Sequence, residues 1–481
     1  MKTSGSTESI IEAFKQAGQG HVFRFIDELE PAAKERLLTQ AASVDLEELN
    51  ALIAKHVKAK KAGDLNLEDL EPAPYVALPE HGGDAGQWET AREAGADALK
   101  AGRVGAFTVA GGQGTRLGFD GPKGTLPVTP VSKKTLFQVF AEKIARSGER
   151  FGVTIPWFIL TSEVNHEATV AAFEQNGFFG LDREFVSFIT QGVVPAVDFE
   201  GRILLAGKDR IAMSPDGHGG ALRALVRSGA TERMKELGVD VISYFQVDNP
   251  IVRCIDPAFI GFHVSEASEL SSKMVPKAYP GEKVGHFCTE GGATRVIEYS
   301  DMPREMQEET LTDGSLRFKA GSVAIHVFDR NFVERVGGEG TAFELPFHRA
   351  EKKVPYVDHA GAYVEPEKPN GIKFEMFVFD ALPLAKHPVI IEAARADDFS
   401  PVKNAEGADS PRTAKEDQLR LFARWLRAAG EEIETDETGL PHVSFEISPR
   451  FAVDQADFLD RWNRLARKPV IQEGTIVDGE G

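Results

Sequence analysis

Only two cysteines, Cys254 and Cys288, occur in 481 residues. Two cannot build a disulfide framework, and neither stands in the CxxC spacing of a metal site; both are expected to be reduced, small core residues. Positive charge is short as well: 55 Lys and Arg face 74 Asp and Glu, a net charge of −19. A binder of nucleic acid or anionic membrane needs a positive surface, so neither is an expected partner, and any phosphate site must be a local basic pocket in an acidic protein. Long apolar runs are missing too. No window holds 18 apolar residues in succession, and the opening "MKTSGSTESIIEAF" has no continuous apolar segment before a small-residue cleavage site. A cytoplasmic location is the expectation. The chain carries no internal repeat and no low-complexity tract.

What is present is ordinary for a soluble globular protein: 42% apolar and 27% charged residues, in a chain long enough for two or three lobes. Residues 6–70 show helical periodicity, with Ile10, Ile11 and Phe14 and then Leu46, Leu49, Ile53 and Val57 on one face; Pro31 suits the first turn of a helix. The Pro- and Gly-rich segment 71–87 reads as a linker or strap, with a boundary near 95–100. The period then changes. Apolar, β-prone runs at 104–110, 157–161, 185–190 and 241–247 alternate with helical stretches such as 134–146 and 219–236. Such alternation predicts an α/β fold with a mostly parallel sheet covered on both faces, its ligands bound beyond the carboxyl ends of the strands. After residue 396 two further amphipathic helices, at 419–426 and 458–465, form a small accessory lobe. The expected division is therefore 1–98, 99–395 and 396–481.

Three loops stand out: one after a predicted strand, one just before an amphipathic helix and one at the end of a buried strand. The first, "FTVAGGQGTRLGFDGPKGT" (107–125), places Gly111, Gly112 and Gly114 where backbone amides can approach an anion, yet it fits neither GxGxxG nor GxxxxGK[ST]. By glycine content alone a plain strand-to-helix turn is an equal reading. Arg116 and Lys123 shift the balance, since both charges can converge on one polyphosphate. The second, "MSPDGHGGALRAL" (213–225), reads either as a helix start capped by Asp216 or as a place where Gly219 and Gly220 let a flat base or a sugar approach the backbone; His218 is a contact or a loop polar residue. The third, "YFQVDN" (244–249), ends a buried strand on Asp248. That carboxylate can hold Mg2+ against phosphate oxygens, or can simply form a turn. Lys373 and Lys403 become candidates only by association with these loops.

In order along the chain, "AGGQGTRLG", "PKG", "KTLFQ", "TQGVVPA", "SPDGHGGALRAL", "VDN", "DPAFIGF", "VGHF", "VIEYSD", "KKVPYVD", "KPNGIKFEMFVFD" and "FSPVKNA" closely resemble the UDP-N-acetylglucosamine pyrophosphorylases of eukaryotic type, within the UDP-sugar pyrophosphorylase family. The resemblance spans roughly residues 95–410. It implies a Rossmann-like nucleotidyltransferase core with N- and C-terminal lobes, and an activity that makes UDP-sugar and pyrophosphate from UTP and a sugar 1-phosphate with Mg2+. By the same resemblance Gly111, Gly112, Gly114, Gln191 and Gly219 line the nucleotide site, Arg116 and Lys123 hold the departing pyrophosphate, Asp248 binds the metal, and Lys373 and Lys403 lie near the phosphates. Gly285 and Glu298 match sugar-contacting positions. Two departures bear on the sugar: His218 stands where the N-acetylglucosamine enzymes carry Asn, and "KAGS" replaces "NAGN", so that Ser322 replaces a sugar-contacting Asn. N-acetylglucosamine 1-phosphate is the expected substrate, with glucose 1-phosphate or galactose 1-phosphate as the alternative. A catalytically silent nucleotide-sugar binder is a remote third reading.

Overall fold

A computed structural model describes residues 6–58, 69–338 and 345–479. The chain forms two compact units. One comprises Met1–Glu68, Gln191–Ala221 and Glu344–Asp380, and the other Asp69–Thr190, Leu222–Phe343 and Ala381–Gly481.

The larger unit is built on a sheet that contains, among the described residues, ten strands. The runs read from the sequence become β1 (Val104–Val109), β2 (Trp157–Thr161), β3 (Val186–Thr190) and β4 (Val241–Gln246). They lie parallel in the order β3-β2-β1-β4. β1, β2 and β4 are almost wholly buried, as expected of parallel strands covered on both faces. The sheet continues through β5 (Leu270–Pro276), β6 (Gly285–Glu290), β7 (Ala293–Ile297), β8 (Ala320–Asp329) and β9 (Val389–Glu392). The ten-residue β8 joins the parallel set to the rest: it pairs antiparallel with β4, β5 and β6, while β9 runs parallel to β5. The Pro- and Gly-rich segment supplies the remaining strand, Glu71–Pro72, which pairs antiparallel with β6.

Helix Leu136–Phe151, capped by Thr135, presses Phe137 and Phe140 onto this sheet, where Trp157 also donates its indole N–H to Thr108. The helical stretch expected at 219–236 is two helices, Gly220–Arg227 and Ala230–Glu236, because Gly229 takes a φ of 75° that an α-helix cannot continue through. The tail helices are Pro411–Ala428 and Gln455–Arg464, which share a cluster containing Phe422, Trp425, Phe458 and Trp462. Both cysteines are buried and free, and burial pushes each thiol up to about 12.

In the smaller unit helices Thr7–Gln16, Pro31–Ser43 and Leu46–Ile53 accompany short antiparallel pairs. Pro31 opens its helix, as expected. The helical pattern expected over 59–68 lies outside the described residues. The side chain of Gln19 fixes the turn at 201–203, donating to the Gly201 carbonyl and accepting from Ile203 N. Strand Gly371–Met376 pairs with Phe347–Lys352 and bridges to Val197.

Candidate functional site

The candidate residues divide between the two units. In the larger unit the strand order reverses between β1 and β4, the point at which open α/β sheets bind ligands. The loop leaving β1 closes on itself: Gly114 N donates to the Gly121 carbonyl at 2.9 Å and Lys123 N to the Gly112 carbonyl at 3.1 Å. Gly114 has to be glycine, since a Cβ there would stand 2.7 Å from the ring of Phe119 and 2.9 Å from its carbonyl. A Cβ on Gly112 would meet nothing within 4 Å, so the backbone at that point is open to a ligand. Arg116 is exposed on the single turn Thr115–Leu117 and makes no ion pair among the described residues.

The end of β4 stands opposite this loop. Lys123 Nζ lies 3.6 Å from Asp248 Oδ2, with each side chain 16% exposed. A tight charge-assisted bond would measure roughly 2.7–2.9 Å. The looser pair leaves both groups capacity for other partners. The Asp248 carbonyl accepts from Val402 N at 2.8 Å, which ties the segment carrying Lys403 to the same strand end. Lys403 N in turn donates to the Asp409 carbonyl, and its ammonium lies 5.6 Å from the Phe399 ring centre. No group of three or more His, Cys, Asp or Glu occurs among the described residues as a metal cage. One carboxylate beside a lysine fits a hydrated Mg2+ that takes most of its remaining ligands from other molecules and water.

Three sugar candidates also converge. Gly285 on β6 and Ser322 on β8 are register partners. A Cβ on Gly285 would fall 3.6 Å from Glu298 Oε1, so the three positions share one patch of the sheet.

In the smaller unit Gln191, Gly219 and His218 gather around Asp216, which is 3% exposed. Gln191 Nε2 donates to Asp216 Oδ1 at 3.2 Å and to the Gly217 carbonyl at 2.7 Å. The Asp216 carboxylate fills the space beside Gly192 and Gly220, where a Cβ would come within 2.4 and 2.1 Å of it. Gly219 has a packing reason of its own, because a Cβ there would stand 2.7–2.8 Å from the Met376–Phe377 backbone. His218 Nδ1 accepts from Val378 N at 3.2 Å and its ring packs beside Phe377 and Phe379. Burial lowers its pKa to about 4, so near neutrality it is an uncharged ring whose proton sits on Nε2. Lys373 lies half-buried on strand Gly371–Met376, between Ile372 and Phe374, which are buried.

Sequence reasoning missed Asn165. It is fully buried just beyond β2, donates through Nδ2 to the carbonyls of Ala110 (2.8 Å) and Gly112 (3.2 Å), and accepts from Ser162 N. It therefore pins the start of the glycine loop. The available signal was an Asn four residues past a buried strand end, at the edge where ligands bind.

The family model described as "UTP--glucose-1-phosphate uridylyltransferase" matches residues 53–410. The chain is 40% identical over 454 residues to the UDP-N-acetylhexosamine pyrophosphorylase-like protein 1 of Xenopus tropicalis, covering 92% of this chain and 88% of that one. It is 34% identical over 438 residues to the UDP-N-acetylglucosamine pyrophosphorylase of Saccharomyces cerevisiae, covering 87% and 91%. The crystal structure of the uridine diphosphate N-acetylglucosamine pyrophosphorylase of Trypanosoma brucei in complex with inhibitor superposes with a TM-score of 0.83 at 26% identity, covering 99% and 98%. The chain therefore belongs to the UDP-sugar pyrophosphorylases, the family of the UTP–glucose-1-phosphate uridylyltransferases.

Proposed function

We propose that the protein is a uridylyltransferase that joins UTP and a sugar 1-phosphate into UDP-sugar and releases pyrophosphate, with N-acetylglucosamine 1-phosphate as the sugar substrate. The observation that carries the reading is the Lys123–Asp248 pair at the strand-order reversal, beside a glycine loop whose backbone is open at Gly112. The names of the relatives support the N-acetylhexosamine choice.

A sugar 1-phosphate has a second pKa of about 6 and is largely dianionic at neutral pH, so its attacking oxygen needs no strong general base. The difficulty is bringing two polyanions together in line. In the larger unit Arg116 and Lys123 are assigned to the β- and γ-phosphates, Lys403 to the attacking phosphate and Gly111, Gly112 and Gly114 to the nucleotide; in the smaller unit Lys373 is assigned to the attacking phosphate and Gln191 and Gly219 to the nucleotide. Asp248 would hold Mg2+, which when bound would neutralise phosphate charge. In the larger unit Gly285, Glu298 and Ser322 are assigned to the sugar, and in the smaller unit His218 is; since His218 is neutral, it is assigned the role of a hydrogen-bond donor. Two buried free thiols suit a reducing, cytoplasmic setting, and among the described residues no helix is long and apolar enough to cross a membrane.

His218 and Ser322 favour a second reading, in which glucose 1-phosphate or galactose 1-phosphate is the acceptor. A panel of sugar 1-phosphates offered with UTP and Mg2+, read by pyrophosphate release, tests both. Preference for glucose 1-phosphate overturns the N-acetylhexosamine assignment.

A further inference from the structure

The Asp248 strand end is backed by a buried charge cluster that none of the roles above employs. Lys273 on β5 is 1% exposed; its ammonium donates to Asp256 Oδ2 at 2.6 Å and to both carboxylate oxygens of Asp398 at 3.0 Å. Phe259 covers it, with the ring centre 5.4 Å away. Burial works against these charges, yet the opposite charges around them raise the Lys273 pKa and lower that of Asp256. A buried ion group of this kind is weak evidence for stability and is better judged by what it holds in place.

It holds Asp398, and Asp398 holds the site. The Asp398 carboxylate also accepts from Arg253 N at 3.1 Å, and its carbonyl accepts from Asn249 Nδ2 at 2.6 Å. Asn249 is 4% exposed and takes Ser400 N on its Oδ1 at 3.0 Å. Two residues further on, Val402 N bonds the Asp248 carbonyl. Asn249 thus clamps the end of β4 to the segment that carries Lys403, and Lys273 fixes the far side of that clamp. From the other direction the ammonium of Lys143 donates to the carbonyls of Pro250 and Val252, so the whole turn after Asp248 is pinned.

We propose that Lys273 is a positioning residue: by fixing Asp398, it holds Asp248 and Lys403 in one register, so that the carboxylate for the metal and the lysine for the attacking phosphate are set together. The inference rests on the reading of Asp248 as the metal carboxylate.

The test uses the full chain. Lys273→Met combined with Asp256→Asn removes one charge of each sign and leaves Arg253 beside Asp398; Asn249→Ala cuts the last link should that double variant not fold. Protein-bound Mn2+ at fixed UTP is read by electron paramagnetic resonance, and the half-saturating Mg2+ concentration by pyrophosphate release. Either variant is expected to weaken both metal readouts about tenfold, roughly 1.4 kcal/mol, with the KM for sugar phosphate moving less than about twofold and Lys273→Arg restoring most of the metal affinity. A lower melting temperature with unchanged Mn2+ affinity overturns the inference and leaves the cluster a purely structural one. Asp248→Asn separates the two claims. If it abolishes Mn2+ binding while the other variants leave it intact, only the positioning role falls; if it too leaves Mn2+ bound, the metal reading falls and the positioning role with it.

Discussion

Lys123 Nζ lies 3.6 Å from Asp248 Oδ2, one residue in the loop that leaves β1 and the other just past the end of β4. β1 and β4 are neighbouring parallel strands between which the strand order reverses, the place where the outgoing loops of an open α/β sheet part, and a charge of each sign stands there. Each group is the other's counter-ion; in the function proposed above, Lys123 would turn to phosphate and Asp248 to a metal ion when a polyanion and a cation arrive together.

Removing either basic group of the loop is expected to cost turnover. Lys123→Ala and Arg116→Ala should each lower kcat about 10²- to 10³-fold, the usual cost of losing one charge-stabilising contact, with the KM for sugar phosphate changing only a few-fold. Steady-state kinetics of pyrophosphate release checks this, and near-normal turnover removes the residue from its role.

Asn165→Ala should affect the same loop without touching charge. It would strip a partner from Ser162 N and from the carbonyls of Ala110 and Gly112, groups at a buried site. A loss of about 1–3 kcal/mol in denaturant unfolding is expected, together with weaker UTP binding by calorimetry.

These loops show how far the sequence could be read. β1, β2 and β4 were legible because parallel strands covered on both faces must be apolar along most of their length, and the candidate loops at 107–125 and 244–249 were legible because each leaves the carboxyl end of such a strand. The link from Asp248 through Asn249 to Asp398 was not, since it joins residues some 150 positions apart through backbone groups that any residue could supply. Nor could periodicity foresee that Gln191–Ala221 and Glu344–Asp380 gather with Met1–Glu68 in one unit, because the bonds that gather them, such as Gln19 to Gly201 and Ile203, are single side-chain contacts outside any repeating pattern. Gly229 was visible as a residue but its φ of 75°, which splits one helix into two, was not.

Acid should destabilise the fold through its buried histidines. His263 is 3% exposed, and burial, with Arg103 nearby, pushes its pKa down to about 3 from an ordinary 6.5. The unfolded chain therefore binds a proton below pH 6.5 that the folded chain refuses, so stability is full above that pH and is lost as pH falls toward about 3, at about 1.4 kcal/mol per unit. His263→Gln should flatten the fall of the denaturant midpoint between about pH 6.5 and pH 4. An unchanged slope contradicts the account.

Sugar choice should follow the β6–β8 patch. Since Ser322 pairs in register with Gly285 and Glu298 lies beside it, Ser322→Asn adds an amide where the N-acetyl group is expected. The ratio of kcat/KM for N-acetylglucosamine 1-phosphate over glucose 1-phosphate should rise by roughly 10-fold, the scale of one added polar contact. A fall in that ratio places the acetyl group elsewhere.

The most direct measurement is pyrophosphate release from UTP with Mg2+ and each of three acceptors: N-acetylglucosamine 1-phosphate, glucose 1-phosphate and galactose 1-phosphate. The account predicts turnover with the first, at a kcat/KM about tenfold or more above the other two, and its loss in Lys123→Ala. Binding of UDP-sugar with no pyrophosphate released from any acceptor would contradict it.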